Sequence, residues 1–125
     1  MDDIPAPKNL RVGFSLDKNN THTFALGWEF ETTRKTIRYM LEFSVDKRKY
    51  HTIPAELCTF TEPPERRVDI PFAKFVELMQ SVQLDIRKYR YIYWRLTAEF
   101  HDTTGTKNFG QSHSNIACFE MPPLE

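Results

Sequence analysis

The side chains with the clearest potential for binding lie in one aromatic stretch, residues 89–95. Tyrosines occupy every second position there, and an arginine continues the spacing: Tyr89, Tyr91, Tyr93 and Arg95. In a strand these side chains would share one face, because successive side chains of a strand point to opposite sides. Tyrosine and arginine are enriched where proteins bind one another, since each buries a large area and keeps a polar group. The spacing therefore predicts a protein-binding face.

Residue types that often carry catalysis form no known motif in this sequence. The four histidines stand apart: His22, His51, His101 and His113. None has the spacing of a metal-binding pair such as His-Glu-x-x-His. His101 precedes an aspartate in a turn, without the Gly-x-Ser-x-Gly context of a nucleophile. The glycines are separated, so there is no glycine-rich phosphate loop. The sequence predicts no enzyme activity, no metal site and no cofactor.

The two cysteines, Cys58 and Cys118, are too far apart for a Cys-x-x-Cys motif, and no second pair completes a zinc site. We expect each to be a small buried side chain or an unreactive thiol, and a single disulfide between them is left open. Asn19 begins a glycosylation sequon of a kind that is common by chance. The first residues lack the basic and apolar regions of a signal peptide. This favours an intracellular location, cytoplasmic or nuclear, and leaves an extracellular one open.

Length and composition are those of one globular domain over residues 1–125. Hydrophobic residues make up 40% and charged residues 27% of the chain, which is ordinary for a soluble protein. Aromatic residues reach 14% and favour a core built on sheets. The formal net charge is zero, so nothing draws the whole molecule to nucleic acid or to an anionic membrane. No apolar run approaches the roughly 20 residues that a membrane-spanning helix needs.

Alternating apolar and polar residues predict strands along most of the chain. In the stretch 89–100 the inward side chains are Ile92, Trp94, Leu96, Ala98 and Phe100. The stretch 37–45 alternates in the same way and turns Arg38, Met40 and Glu42 outward. Residues 10–14, 24–28 and 68–70 predict three further strands, residues 50–60 one or two short ones, and residues 112–121 a last one. The charged residues 46–49 are expected to be a solvated turn.

Residues 72–83 differ from the rest because their apolar side chains have helical spacing. The apolar positions are Phe72, Phe75, Val76, Met79 and Val82. They correspond to i, i+3, i+4, i+7 and i+10, and Pro71 suits the start of a helix. The pattern predicts a helix of about three turns, within a segment of about 71–84. We expect its apolar stripe to pack on its own domain, and docking of a partner is the alternative.

Several short motifs follow one another along the chain. They are a proline-rich lead into an apolar strand (residues 5–12), Phe-Ala-Leu-Gly-Trp (24–28), Tyr-Met-Leu-Glu-Phe (39–43), Leu-Thr-Ala before a turn with Gly105 (96–98), and a serine-containing last strand before Pro122. Together they resemble a fibronectin type III domain of the immunoglobulin-like superfamily, over essentially the whole chain. The resemblance implies an all-β, two-sheet sandwich of about seven strands. The helix near 72–83 would be an insertion, where the family has a short loop. The family's strand F tyrosine falls on Ile92 here.

The resemblance implies a non-catalytic protein–protein interaction module, part of a larger scaffold or adaptor, because single type III modules serve as binders and spacers. The strands at 37–45 and 89–100 would be neighbours in one sheet. The predicted partner-binding residues are therefore Arg38, Met40, Tyr89, Tyr91, Tyr93 and Arg95. Two alternatives are that the helix, or the chain on either side of it, covers this face, or that the tyrosines only stabilise the sheet through cross-strand contacts.

Other functions remain open at this stage. A carbohydrate-binding module could use the tyrosines as a stacking platform, although the flanking residues are Arg and Glu. Basic residues interleaved with aromatics suit single-stranded nucleic acid, but the zero net charge disfavours this function. The basic residues concerned are Arg34, Lys35, Arg38, Arg87, Lys88, Arg90 and Arg95. A passive spacer domain is the last alternative.

Overall fold

A computed structural model describes residues 6–16, 22–30, 37–61, 67–101 and 108–121. The strands in these residues are β1 (Lys8–Leu16), β2 (His22–Glu29), β3 (Ile37–Ser44), β4 (His51–Thr52), β5 (Thr59–Thr61), β6 (Arg67–Pro71), β7 (Tyr91–His101), β8 (Asn108–His113) and β9 (Ala117–Glu120). One α-helix, α1, covers Phe72–Ser81, and short 3₁₀ turns cover Ala55–Leu57 and Ile86–Lys88. The predicted sequon at Asn19 and the basic residues Arg34 and Lys35 lie outside the described ranges.

The strands form two antiparallel sheets. One sheet has the order β1-β2-β6-β5, and the other has the order β4-β3-β7-β8, with β9 also pairing with β7. The long strand β7 therefore has β3 on one side, and β8 and β9 in succession on the other. The predicted all-β architecture of two sheets is confirmed.

The core lies between the inner faces of the two sheets and contains a cluster of packed aromatic side chains. Phe24 on β2, Phe43 on β3, Trp94 on β7 and Phe75 on α1 are all fully buried. The ring centroid of Phe75 lies 5.2 Å from that of Phe24, 4.9 Å from that of Phe43 and 5.0 Å from that of Trp94. The helix thus packs its apolar side into the space that both sheets share, and aromatic pairs at these separations add to the free energy of area burial.

Helix α1 follows β6 without a loop. Pro71 is the last residue of β6 and keeps an extended conformation, and the helix begins at Phe72. Phe75 and Met79 are buried, as expected for a stripe that packs on its own domain. The helix ends at Ser81, two residues before the predicted end, because Gln83 adopts a left-handed conformation with φ of 64°. In the described part of the chain no helix is long and apolar enough to cross a membrane.

The prediction of a single last strand over residues 112–121 is wrong. The strand is broken into β8 and β9, and Ser114 lies in the break. The Leu96 N–H donates to the Ser114 hydroxyl at 3.0 Å, and the Ser114 N–H donates to the Leu96 carbonyl at 2.9 Å. The amide of Asn115 turns to β1, where it accepts from the Leu10 N–H and donates to the Leu10 carbonyl. Side chains here replace backbone partners, so the break connects the two sheets.

The two cysteines do not form a disulfide. Cys58 is half-buried, and Cys118, on β9, is exposed. Burial, helped by the nearby Glu56 carboxylate, raises the pKa of the Cys58 thiol to about 11, so this thiol stays protonated at neutral pH. Cys58 fits the expectation of a buried or unreactive thiol, whereas Cys118 is not buried.

Candidate functional site

The candidate site is the side of the second sheet that points away from the core, which we call the outer face. Cross-strand pairs place Arg38 opposite Glu99, Met40 opposite Thr97 and Glu42 opposite Arg95. Directly opposed residues of an antiparallel pair lie on the same side of the sheet. The outer face includes Arg38, Met40, Glu42, Ser44, Thr52, Tyr91, Tyr93, Arg95, Thr97, Glu99, Gln111, His113, Cys118 and Glu120. Five of the six predicted site residues are therefore brought together.

Tyr89 is the exception, and its assignment to the outer face is wrong. Strand β7 begins at Tyr91, and the Tyr89 N–H donates to the Ile86 carbonyl at 3.3 Å in a 3₁₀ turn. The side chain of Tyr89 is half-buried and packs against the core. The period-two spacing of the tyrosines begins at Tyr89, which lies at the end of a 3₁₀ turn and not in a strand. The alternation of side chains between two faces therefore does not apply to it.

The helix does not cover the outer face. Phe75 of α1 contacts Trp94, whose side chain points to the opposite side of β7 from its neighbours Tyr93 and Arg95. Tyr91 is 39% exposed. The alternative that α1 hides the tyrosines is therefore wrong, and the outer face is accessible at Tyr91.

A polar network holds the centre of the outer face. The guanidinium of Arg95 makes two contacts with the carboxylate of Glu42, Nη2 to Oε2 at 3.0 Å and Nε to Oε1 at 3.3 Å. The Thr97 hydroxyl donates to Glu42 Oε1 at 2.7 Å and lies 2.8 Å from His113 Nδ1. The guanidinium carbon of Arg95 also lies 4.1 Å from the centroid of the Tyr50 ring. Bidentate pairs and cation–π contacts are geometrically specific, so these contacts fix Arg95 in place.

The Thr97 hydroxyl, between a carboxylate and an imidazole, has the partners that an activated nucleophile uses. Thr97, however, is 1% exposed, so a substrate has no access to its oxygen. The network joins Glu42 on β3, Thr97 on β7 and His113 on β8. Its role is to fasten three strands together.

Each outer-face tyrosine has a cation beside its ring. Lys47 Nζ lies 4.9 Å from the centroid of Tyr93, and the guanidinium carbon of Arg90 lies 5.6 Å from that of Tyr91. Arg90 is held in turn by Glu120, with Nη2 2.7 Å from Oε1. These contacts hold each ring against a neighbouring cation.

The turn after β3, residues 46–49, is a defined structure that we call the basic turn. The Ser44 hydroxyl accepts from the N–H groups of Asp46 and Lys47, while Asp46 Oδ1 accepts from those of Arg48 and Lys49 and from the Ser44 hydroxyl. The N–H groups of Lys49 and Arg48, followed by the Ser44 hydroxyl, lower the pKa of the Asp46 carboxyl. The turn is exposed, as predicted. It contains three cationic side chains and one carboxylate, that of Asp46, which already accepts hydrogen bonds from within the turn and from Ser44.

Several residues of the site were missed by the sequence analysis. Tyr50, whose ring contacts the Arg95 guanidinium, lies in the stretch 50–60, for which the sequence predicted only short strands. Its alternation with Thr52 is the one sequence pattern that could have placed it on the outer face. The Tyr50 hydroxyl is buried without a hydrogen-bond partner in the described ranges, and desolvation raises its pKa. Thr97 and His113 become neighbours only through the register of β7 and β8.

The described basic residues do not form a continuous track for nucleic acid. Arg87 pairs with Asp85, Arg90 with Glu120 and Arg95 with Glu42. Single-stranded nucleic acid is bound where unpaired cations follow the phosphate backbone. The paired arginines therefore argue against this function for the outer face.

A cavity of about 520 Å³ lies beside the C-terminal part of α1. Its charged groups, Asp85 and Arg87, are paired with each other at 3.1 Å. Its lining consists of Val76, Gln80, Gln83, Leu84, Asp85, Ile86 and Arg87. Among the residues that the structure describes, no three His, Cys, Asp or Glu side chains are grouped as a metal site.

No family model, curated protein or solved structure matches the chain.

Proposed function

We propose that this chain is a fibronectin type III-like domain that serves as a non-catalytic protein-interaction module, with the outer face as its docking surface. The strand order β1-β2-β6-β5 against β4-β3-β7-β8 supports the fold, because immunoglobulin-like sandwiches set strands A, B, E and D against C, F and G. Strand β4 is an additional edge strand beside β3, the counterpart of strand C. In this arrangement α1 is an insertion between strands E and F. A larger scaffold or adaptor is the setting in which such a module acts.

The observation that carries the proposal is the exposure of Tyr91, at 39%, beside Tyr93 on a face that no described helix covers. Tyrosine is a frequent anchor of interfaces, because its ring buries a large area and its hydroxyl keeps a polar group. The cations over both rings hold these anchors in place.

The charges of the outer face support the same function. Arg95 is satisfied by Glu42, and Arg90 by Glu120. On the strands a partner therefore meets two tyrosines beside paired arginines, and interface cores are depleted in unpaired charge. This arrangement suits another protein better than a nucleic acid or a sugar.

The test is affinity capture from cell extract, with the full chain as bait, at low and at high salt. The variant Tyr91→Ala/Tyr93→Ala should lose the captured protein, with an affinity at least about 30-fold weaker, since paired anchors contribute about 2 kcal/mol or more. Tyr91→Phe/Tyr93→Phe should retain most of the binding, because the ring area remains.

The matched control is Arg11→Ala/Arg67→Ala, which truncates two exposed side chains on the other sheet. It should bind as the parent chain does. A captured protein that both double alanine variants retain equally would exclude the outer face. Nucleic acid recovered at low salt only, or no partner in any condition, would favour the nucleic-acid or spacer alternatives.

A further inference from the structure

We infer that the partner presents an acidic polypeptide segment to the basic turn, beside Tyr93. This inference rests on the proposed function and adds the chemistry of the partner to it. The observations that carry it are the distribution of charge, the structure of the turn and the contact between the turn and the outer face.

Charge on and beside the outer face is balanced, and charge on the turn is not. Three arginines match three glutamates along the strands: Arg38, Arg90 and Arg95 against Glu42, Glu99 and Glu120. The basic turn has three cations, Lys47, Arg48 and Lys49, and one anion, Asp46, which leaves a net charge of +2. A chain with zero net charge therefore concentrates positive charge at one end of its outer face.

The cations of the turn are available to a partner. Lys47, Arg48 and Lys49 are exposed, and the side chains of Arg48 and Lys49 form no ion pair with the described residues. The Asp46 carboxylate accepts from two backbone N–H groups and a hydroxyl. The Asp46 carboxylate therefore stabilises the turn itself. A carboxylate of a partner could form charge-assisted hydrogen bonds with the side chains of Arg48 and Lys49.

The basic turn and the outer face are continuous. Ser44, the last residue of β3, lies opposite Tyr93 on β7, and the turn begins two residues later. Lys47 Nζ lies 4.9 Å from the Tyr93 centroid. A partner segment that packs on Tyr93 would therefore also contact the basic turn. Lys47 has a φ of 64°, a left-handed conformation that few lysines adopt, and the Ser44 hydroxyl holds its N–H.

A polypeptide fits this surface better than a nucleic acid. The positive charge is local, and it adjoins tyrosines that suit side-chain packing rather than a phosphate track. At physiological salt the screening length is about 8 Å, so the turn acts on groups in contact with it. Three exposed pairs of this kind supply roughly tenfold in affinity and act mainly on association rate and salt dependence.

The probe is a short peptide in which a run of glutamates precedes alternating threonines and tyrosines. Its control is the same peptide with every glutamate replaced by glutamine. Amide NMR spectra of the ¹⁵N-labelled full chain should shift at residues 46–49 and at Tyr93 with the acidic peptide. The glutamine counterpart should bind about tenfold more weakly. A shift pattern elsewhere, or equal binding of both peptides, would overturn the inference.

The turn variant is Lys47→Gln/Arg48→Gln/Lys49→Gln, and its matched control removes the same charge from exposed sites elsewhere. The control substitutes glutamine at Lys8, Lys74 and Lys88. The turn variant should lose about tenfold in affinity for the acidic peptide, and the control should bind as the parent chain does. Equal losses in both variants, or tighter binding of an oligo-dT strand than of the peptide, would overturn the inference.

The captured protein separates this inference from the proposed function. Capture that Tyr91→Ala/Tyr93→Ala abolishes and the turn variant leaves unchanged supports the outer face and overturns the acidic partner. Capture that neither variant changes overturns both. Capture that both variants weaken, with salt dependence reduced only in the turn variant, supports both.

Discussion

The two sides of β7 differ in what holds them. Ile92, Trp94 and Leu96 on the inner side are fully buried, and the Trp94 ring contacts rings from both sheets and the helix. Tyr93 and Arg95 on the outer side are fixed by pairwise contacts with a cation and a carboxylate. The inner side contributes stability through area burial, whereas the outer side contributes orientation. Alternation along one strand therefore separates the buried side from the side that we propose for docking.

The largest expected effect comes from the inner side. Trp94→Ala removes a fully buried ring that contacts Phe24, Phe43 and Phe75, and it should lower the free energy of unfolding by about 3–5 kcal/mol. Trp28, also buried, should behave similarly. Urea titration followed by circular dichroism measures the loss. A cost under about 1 kcal/mol for Trp94→Ala would contradict the inner-side assignment.

A smaller effect is expected from the polar network of the outer face. Arg95→Met and Glu42→Gln each break a bidentate pair whose side chains are 26% and 14% exposed. Each should cost about 1–2 kcal/mol, and a double-mutant cycle should give a coupling of about 1 kcal/mol. Strictly additive losses would show that the two residues are independent and that the network does not fasten β3 to β7.

The smallest effect is expected at the basic turn. Hydrogen bonds from the N–H groups of Lys49 and Arg48 lower the pKa of Asp46 in the folded chain. The stabilisation is therefore present above the carboxyl's unfolded pKa and is lost as pH falls through the lower, folded pKa. NMR titration of the Asp46 carboxyl should give a midpoint below the usual aspartate value. Ser44→Ala, which removes one donor, should raise that midpoint, and no change would contradict the turn geometry.

Local pattern predicted most of the fold because burial imposes a period on the sequence. Alternation identified the inner series on β7, and helical spacing located α1. The end of α1 and the start of β7 were misplaced, because Val82 and Tyr89 continue the apolar and tyrosine spacings beyond the ends of the two elements. The hydrophobic periodicity of the sequence predicts which segments form helices or strands. The conformation of a single turn residue determines where each of them ends.

The candidate site was less predictable, because it depends on register. Glu42 satisfies Arg95 only because β3 and β7 pair in one alignment, and no local pattern states that alignment. The break at Ser114 depends on hydrogen bonds with Leu96, eighteen positions earlier. Tertiary contacts of this kind override local propensity. The sequence therefore predicted Tyr91 and Tyr93 but not the cross-strand contacts around them.

The central claim is that the outer tyrosines serve binding and contribute little to stability. The direct measurement is the affinity of Tyr91→Ala/Tyr93→Ala for the captured partner, made beside its free energy of unfolding. The account predicts an affinity at least about 30-fold weaker with a stability loss of about 1 kcal/mol. An unchanged affinity, or a stability loss as large as that of Trp94→Ala, would contradict it.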